Sequence, residues 1–242
     1  MEGRKFAILM CAEDSDYLKE MHGGFYGVFV QMLKEDGETW DVYEVARGYF
    51  PADDAIEVYD GFVITGSCSD AYGDDIWICN LLVLLKKLIA MNKRILGICF
   101  GHQILGRAIG GRVDRATTGW DIGITQVNFQ GSEFFTSLKL PASLSIIQCH
   151  RDEVWELPPK AEVLAWSSKT GIEMFTYGGQ VMGIQGHPEY TKDILLHLID
   201  RLFSRNFIQE SHSEEVKTKL EIGEPDTKAW KKLCISFLKG RL

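Results

Sequence analysis

The fold is decided by the stretch Arg94-Ile-Leu-Gly-Ile-Cys-Phe-Gly-His-Gln103, where a short apolar run leads into Gly-x-Cys-x-Gly and then into a helical pattern. Such a run predicts a buried strand that turns sharply into a helix. Gly97 and Gly101 stand two residues before and after Cys99, where small residues leave room for the turn. The stretch therefore predicts a strand–turn–helix unit with Cys99 at its turn.

Short apolar runs alternate with longer amphipathic runs on both sides of this unit. The alternation predicts right-handed βαβ crossovers, and hence a doubly wound α/β fold whose largely parallel sheet is flanked by helices. The predicted strands are Lys5–Met10, Thr39–Val45, Gly61–Thr65 and Arg94–Ile98, and the predicted helices are Phe25–Leu33, Ile76–Met91 and Phe100–Ile109.

The pattern changes between about residues 113 and 184, where the apolar runs are short and rich in β-formers. We expect antiparallel β additions to the same sheet from Ile122–Phe129, Leu144–Cys149, Val163–Trp166, Ile172–Tyr177 and Val181–Ile184. A helix is expected over Thr191–Phe203, and one or two more around the break at Gly223-Glu-Pro225. We predict one domain over residues 1–205 and a helical C-terminal extension over residues 206–242 that packs on it.

Composition and charge exclude several classes of protein. The chain has 242 residues with 45% hydrophobic and 25% charged positions, which is typical of a globular protein. Its net charge of −8 argues against broad binding to nucleic acid or an anionic membrane. No apolar run reaches the roughly 20 residues of a membrane-spanning helix. The six cysteines form no C-x-x-C pair, so we expect no metal site, no disulfide framework and a cytosolic location.

Cys99 has the features of a nucleophile. A cysteine at the start of a helix meets unpaired N–H groups and the positive end of the dipole, which favour the thiolate. The N–H of Phe100 is then available to stabilise an oxyanion. The alternative is that Cys99 is a buried apolar cysteine, as we expect Cys79 and Cys234 to be.

His187 is the best placed of the six histidines to act as its base. It stands in Gly183-Ile-Gln-Gly-His-Pro-Glu189, directly after a predicted strand, and the carboxyl ends of such strands line the usual ligand crevice. Glu189 follows two residues later, so in extended chain both side chains project to the same side. The carboxylate could then fix the imidazole tautomer, although His-Pro-Glu alone is also typical of a polar turn.

Taken together, Gly97–Gln103 and Gly186-His187-Pro-Glu189 resemble the class I, triad-type glutamine amidotransferase family, over roughly residues 5–205. The resemblance implies a flavodoxin-like core. It also implies that Cys99 attacks an acyl carbon, that His187 carries the proton and that Glu189 orients His187. Phe100 and either Gly66 or Ser67 would lend backbone N–H groups to the oxyanion hole. The substrate-binding residues would be Gln103 and, in a segment like the family's His-x-Asp, His150, Arg151 and Asp152.

The sequence departs from the family in two places. The oxyanion loop usually reads Gly-Gly-Pro but is Gly66-Ser67-Cys68 here. Only residues 206–242 follow the resemblance, and no phosphate-binding Gly-x-x-x-x-Gly-Lys is present, so we expect no synthase domain and no obligatory synthase partner.

Within the family, the sequence looks most like plant γ-glutamyl peptidases. That likeness implies hydrolysis of the γ-glutamyl bond of glutathione conjugates through a γ-glutamyl thioester, with release of glutamate and a Cys-Gly conjugate. The implied setting is glutathione metabolism and the formation of sulfur-containing defence metabolites such as glucosinolates. No metal or organic cofactor is implied.

Two other functions stay open: a glutaminase subunit that supplies ammonia to a separate synthase, and a non-catalytic ligand-binding module. Two charged features also have simpler interpretations. Arg151, Arg115 or Arg112 could pair with the glycyl carboxylate of a conjugate, but a solvated surface charge is the expected role of each. Asp70, Asp74 and Asp75 are expected to form a capped, solvated helix start before Ile76.

Overall fold

The structure is a computed structural model that describes residues 3–131 and 133–242. Its strands are β1 (Lys5–Leu9), β2 (Thr39–Tyr43), β3 (Gly61–Ile64), β4 (Arg94–Ile98), β5 (Arg112–Arg115), β6 (Asp121–Phe129), β7 (Ser143–His150), β8 (Asp152–Glu156), β9 (Ala161–Trp166), β10 (Met174–Tyr177) and β11 (Val181–Ile184). Its α-helices are α1 (Asp16–His22), α2 (Gly24–Leu33), α3 (Ile76–Ala90), α4 (Phe100–Ala108), α5 (Glu133–Ser137), α6 (Lys192–Ser204), α7 (Glu210–Ile222) and α8 (Thr227–Leu238).

One large sheet runs in the order β2-β1-β3-β4-β11-β10-β9-β6-β7. The five strands from β2 to β11 pair with one another in parallel, and β10, β9, β6 and β7 continue the sheet from β11 with antiparallel pairing. The predicted α/β class, with a largely parallel sheet between helices and antiparallel additions, is confirmed.

The prediction was only half right for β11, which we placed among the antiparallel additions and which is antiparallel to β10 alone. It lies beside β4 and pairs with it in parallel, with Ile98 opposite Ile184. A short apolar run carries no signal for its direction, because a strand buried on both faces is apolar in either orientation. This pairing matters for the site, since Cys99 follows β4 directly and His187 lies just beyond β11.

A second sheet was not predicted at all. Strands β5 and β8 form a two-stranded antiparallel ribbon, with Arg115 opposite Asp152. The sequence Arg112-Val-Asp-Arg115 has a single apolar residue, so it lacks the alternation that indicates a strand. The ribbon places the charged residues of β5 next to the turn that follows β7.

Both faces of the parallel sheet are covered. Alternate residues of β1 enter two hydrophobic clusters, Phe6 and Ile8 on one face and Ala7 and Leu9 on the other. The C-terminal helix α8 belongs to the first cluster, where Trp230 is buried and its Nε1 donates to the Ser145 carbonyl at 3.1 Å. Within the described residues, no helix is both long and apolar enough to cross a membrane.

The two cysteines expected to be buried behave differently. Cys234 is buried in α8, as predicted. Cys79 is exposed, because it lies in the first turn of α3, where its sulfur approaches the Asp74 carbonyl at 3.5 Å. The burial predicted for Cys79 was wrong.

The glycines of the Cys99 turn are required by close backbone contacts. A Cβ at Gly97 would lie 2.4 Å from the Gly101 carbonyl oxygen, and one at Gly101 would lie 2.4 Å from the Ile64 carbonyl oxygen. Distances this short force the backbone to move. The sharp turn into α4 therefore requires glycine at positions 97 and 101.

We expect Gly101→Ala to destabilise the fold by about 1–3 kcal/mol, because the new methyl group overpacks against β3. An ordinary Gly-to-Ala change inside a helix would instead stabilise it by about 1 kcal/mol. Urea unfolding measures the difference as a lower midpoint at unchanged slope. The matched control is Gly171→Ala, where a Cβ would meet open space. A midpoint for Gly101→Ala at or above that of the parent protein would contradict the packing argument.

Candidate active site

Cys99 lies at the strained turn between β4 and α4. Its backbone has φ 55° and ψ −106°, a region that residues with a side chain rarely adopt. Its N–H donates to the Ile184 carbonyl at 2.9 Å, which ties the turn to the end of β11. Because α4 begins at Phe100, the first N–H groups of this helix have no partners within the helix and stay available to a ligand.

His187 reaches the same place from β11. Its N–H donates to the Ile147 carbonyl at 2.7 Å, so β7 holds the backbone of this residue. Its Nδ1 lies 2.8 Å from Glu189 Oε1, and both side chains are buried. A carboxylate can only accept, so Nδ1 carries the proton and Nε2 is left to act on a partner.

Gly66 brings the loop after β3 against both groups. A Cβ on Gly66 would lie 3.1 Å from His187 Cε1 and 3.7 Å from Cys99 Cβ. The backbone of Gly66 thus borders the space between nucleophile and base. The Ser67 hydroxyl turns back to its own loop and accepts from the Ser69 N–H at 3.2 Å.

The charge state of His187 follows from its neighbours. Burial alone would lower the pKa of His187, but the Glu189 carboxylate and the Cys99 sulfur outweigh it and raise that pKa to about 10. The imidazole is therefore protonated at neutral pH. An imidazolium beside a sulfur favours the thiolate form of that sulfur.

Comparison with known proteins identifies the family. The family model of the class I glutamine amidotransferases matches residues 22–203. The chain belongs to this family. Gamma-glutamyl peptidase 5 of Arabidopsis thaliana is 46% identical over 99% of this chain and 97% of its own length. Gamma-glutamyl peptidase 3 of the same plant is 42% identical over 98% and 97%.

A solved glutamine amidotransferase from Thermotoga maritima has the same fold, with a TM-score of 0.74 at 23% identity over 99% of this chain and 98% of that one. The predicted resemblance, both to the family and to plant γ-glutamyl peptidases, is confirmed. The roles of individual residues in this class I amidotransferase domain stay predictions.

Tyr190 is part of the site, and sequence reasoning missed it. Its ring stacks on the His187 imidazole, with centroids 3.9 Å apart and planes 5° from parallel. Burial raises the pKa of the Tyr190 hydroxyl, so the ring stays uncharged beside the imidazolium. The only signal available was an aromatic residue directly after His-Pro-Glu, and nothing in that pattern indicates stacking.

Gln103 and His150 meet beside the turn between β7 and β8. Gln103 Nε2 donates to the Asp152 carbonyl at 2.8 Å and to Gln185 Oε1 at 3.1 Å. His150 Nδ1 donates to the same carbonyl at 3.0 Å. Burial lowers the pKa of His150 to about 4, so its ring is neutral. Both side chains hold the backbone of this turn in place.

Asp152 is paired with Arg115, for which we had expected a solvated surface charge. Arg115 Nε lies 2.5 Å from Asp152 Oδ1, and Arg115 Nη2 lies 3.1 Å from Asp70 Oδ1. Burial raises the pKa of Asp152 to about 6, although Arg115 opposes the shift. Asp70 therefore belongs to this ion-pair group, contrary to the predicted solvated helix start. Asp75 precedes α3 but makes no capping hydrogen bond from its side chain.

His102 does not join the triad. It is fully buried in α4 with its ring 4.9 Å from that of Phe175, and a Cβ on Gly183 would lie 2.6 Å from its Nδ1. Burial lowers the pKa of His102 to about 3. The neutral His102 ring packs against β10 and β11 and is part of the core.

Proposed function

We propose that this chain is a cysteine-dependent γ-glutamyl peptidase that hydrolyses glutathione conjugates. One observation carries the proposal: the strained Cys99 turn lies against the same glycine, Gly66, as the buried His187–Glu189 pair. Relatives named γ-glutamyl peptidases support the choice of bond, since the likeness to them extends over nearly the whole chain.

The first half of the reaction forms a thioester. The Cys99 thiolate attacks the γ-carbonyl carbon, and the developing oxyanion accepts hydrogen bonds from backbone N–H groups at Phe100 and at Gly66 or Ser67. The imidazolium of His187 then protonates the departing amine through Nε2, while Glu189 stabilises the ring through Nδ1. The C–N bond breaks, the Cys-Gly conjugate leaves and the γ-glutamyl group stays on the sulfur.

The second half consumes water. His187 is now neutral and takes a proton from a water molecule that attacks the thioester carbonyl. The new tetrahedral intermediate expels the Cys99 thiolate and releases glutamate. His187 is again the imidazolium, so one water has been added across the γ-glutamyl bond.

The same acyl group explains how an amidotransferase domain can serve as a peptidase. Glutamine and a γ-glutamyl peptide differ only in the departing amine, so a glutamyl pocket can be kept while the leaving-group side changes.

We also propose that the reaction takes place in the cytosol, because all six cysteines are free and free thiols persist in reducing compartments.

The test is a product assay on the purified chain with glutamine, glutathione and a glutathione S-conjugate in parallel. We expect glutamate from the S-conjugate without any added protein, with kcat/KM at least about tenfold above that for glutamine, a ratio within the range that contacts to one side of a substrate produce. No glutamate from either peptide, at concentrations where the chain is folded, would refute the proposal and favour a binding module.

A glutaminase that serves a separate synthase is the second candidate. A glutamine-hydrolysing GMP synthase component from Methanococcus vannielii is 38% identical over 42% of this chain and 54% of its own length. A marked preference for glutamine, with ammonia release that rises when a synthase is added, would support this candidate instead.

A further inference from the structure

Arg151 occupies the turn between β7 and β8, directly between His150 and Asp152. Its guanidinium lies 5.5 Å from the centre of the Trp120 ring and 5.6 Å from that of Phe207. The two rings are themselves 6.4 Å apart. Arg151 is therefore held in one place by aromatic faces, and it does not behave as the freely solvated charge that the sequence suggested.

Most of the hydrogen-bond donors of the Arg151 guanidinium remain available to a ligand. Its ion pair with Asp70 is long, at 3.7 Å, and 29% of its side chain is exposed. Asp70 has a closer partner in Arg115, which also reaches Asp152 and the Tyr72 hydroxyl. A guanidinium carries five N–H donors in a planar fork that matches a carboxylate. Arg151 is thus a fixed cation that can still receive an anion.

Arg151 lies close to Cys99 through the end of β7. Burial, and after it the nearby Cys99 and Cys68 sulfurs, raise the pKa of the Cys149 thiol, so the Cys149 side chain lies near Cys99. Arg151 follows Cys149 by two residues, which span at most about 7 Å of extended chain. A leaving group of two residues spans a similar length, so a carboxylate at its end can approach Arg151.

We propose, on the basis of the γ-glutamyl peptidase function above, that Arg151 binds the terminal carboxylate of the leaving dipeptide, with Trp120 and Phe207 holding its guanidinium in position. Glutamine loses ammonia, which has no carboxylate, so this contact adds affinity only for peptide substrates. Phe207 lies beyond residues 22–203, the part that matches the family model. The segment after the shared domain thus contributes to substrate choice.

The test compares S-benzylglutathione with its glycinamide analogue, in which a neutral amide replaces the terminal carboxylate. For the parent protein we expect kcat/KM to favour the acid by about 10- to 100-fold, the range for losing a charged hydrogen bond. In Arg151→Gln the preference should fall to about one through a higher KM for the acid. The matched control is Arg112→Gln, since Arg112 also lies over a tryptophan, Trp155, at 4.6 Å and beside Asp114 at 3.3 Å.

A binding measurement separates this proposal from the proposed function. Calorimetry on Cys99→Ala, with and without Arg151→Gln, compares the binding affinity for S-benzylglutathione with that for its glycinamide analogue in the absence of turnover. If Cys99→Ala binds the acid better than the amide but the parent protein hydrolyses neither, the peptidase function is refuted and the Arg151 contact is kept. If the parent protein hydrolyses the peptide and Arg151→Gln keeps the same acid-to-amide ratio, the contact is refuted and the peptidase function is kept. Equal losses of kcat/KM for both substrates in Arg151→Gln would also refute the contact. If Arg151→Gln fails to fold, Arg151→Lys replaces it, and full retention of the preference would then refute a fork-shaped contact.

Discussion

Replacing Cys99 by alanine is expected to lower kcat for glutamate release from a glutathione S-conjugate by about 10⁴-fold or more, which is typical when the nucleophile of a catalytic triad is removed. The reason is that no thioester can form without the sulfur. The measurement is glutamate release under saturating substrate, with folding followed by circular dichroism and urea unfolding.

Two further variants make this result specific. Cys79→Ser changes an exposed cysteine in the first turn of α3 and should keep the parent rate. Cys99→Gly also lacks the sulfur, but glycine adopts positive φ without strain, so it should be inactive yet unfold at no lower urea concentration than Cys99→Ala. Substantial activity in either Cys99 variant would show that the nucleophile lies elsewhere.

Replacing Glu189 by glutamine is expected to lower kcat by about 10²- to 10⁴-fold, as loss of the orienting carboxylate does in other triads. The variant also tests the electrostatics. Burial opposes the imidazolium of His187, and with the Glu189 charge removed the pKa of His187 should fall from about 10. The alkaline limb of the kcat/KM profile should therefore move to lower pH.

The same shift has a consequence for stability. In the folded protein the pKa of His187 lies above its ordinary value of 6.5. The His187–Glu189 pair therefore contributes its full stabilisation below pH 6.5, and this contribution to the free energy of unfolding is lost as pH rises towards 10. Glu189→Gln should weaken this dependence in urea unfolding measured across pH. Glu162→Gln, an exposed carboxyl on β9, is the control. An alkaline limb that stays in place in Glu189→Gln would show that His187 does not set it.

The turn at Cys99 and its partners could be predicted from sequence because their signals are local. Gly97 and Gly101 flank the cysteine at fixed spacing, and Glu189 follows His187 by two residues. Each pattern reflects a steric or directional rule that acts within a few residues.

The remaining parts of the site depend on distant pairings. Strand β11 joins β4 only when the sheet assembles, and no pattern in Val181–Ile184 indicates its direction. The ion pair of Arg115 with Asp152 exists because β5 and β8 form a ribbon, which the polar sequence of β5 conceals. Tertiary contacts such as these are not encoded by periodicity. Tyr190 is a different case, because it contacts His187 through the local path of the chain after the triad, which no sequence pattern indicates.

The hydrogen bond from the Cys99 N–H to the Ile184 carbonyl ties two segments far apart in the chain. The sulfur has no base beside it until β11 has taken its place next to β4. In a nascent or partly unfolded chain the Cys99 thiol therefore lacks an activating base. It gains that base only when β11 pairs with β4. The reactivity of Cys99 towards an electrophile thus reports whether β11 has paired with β4.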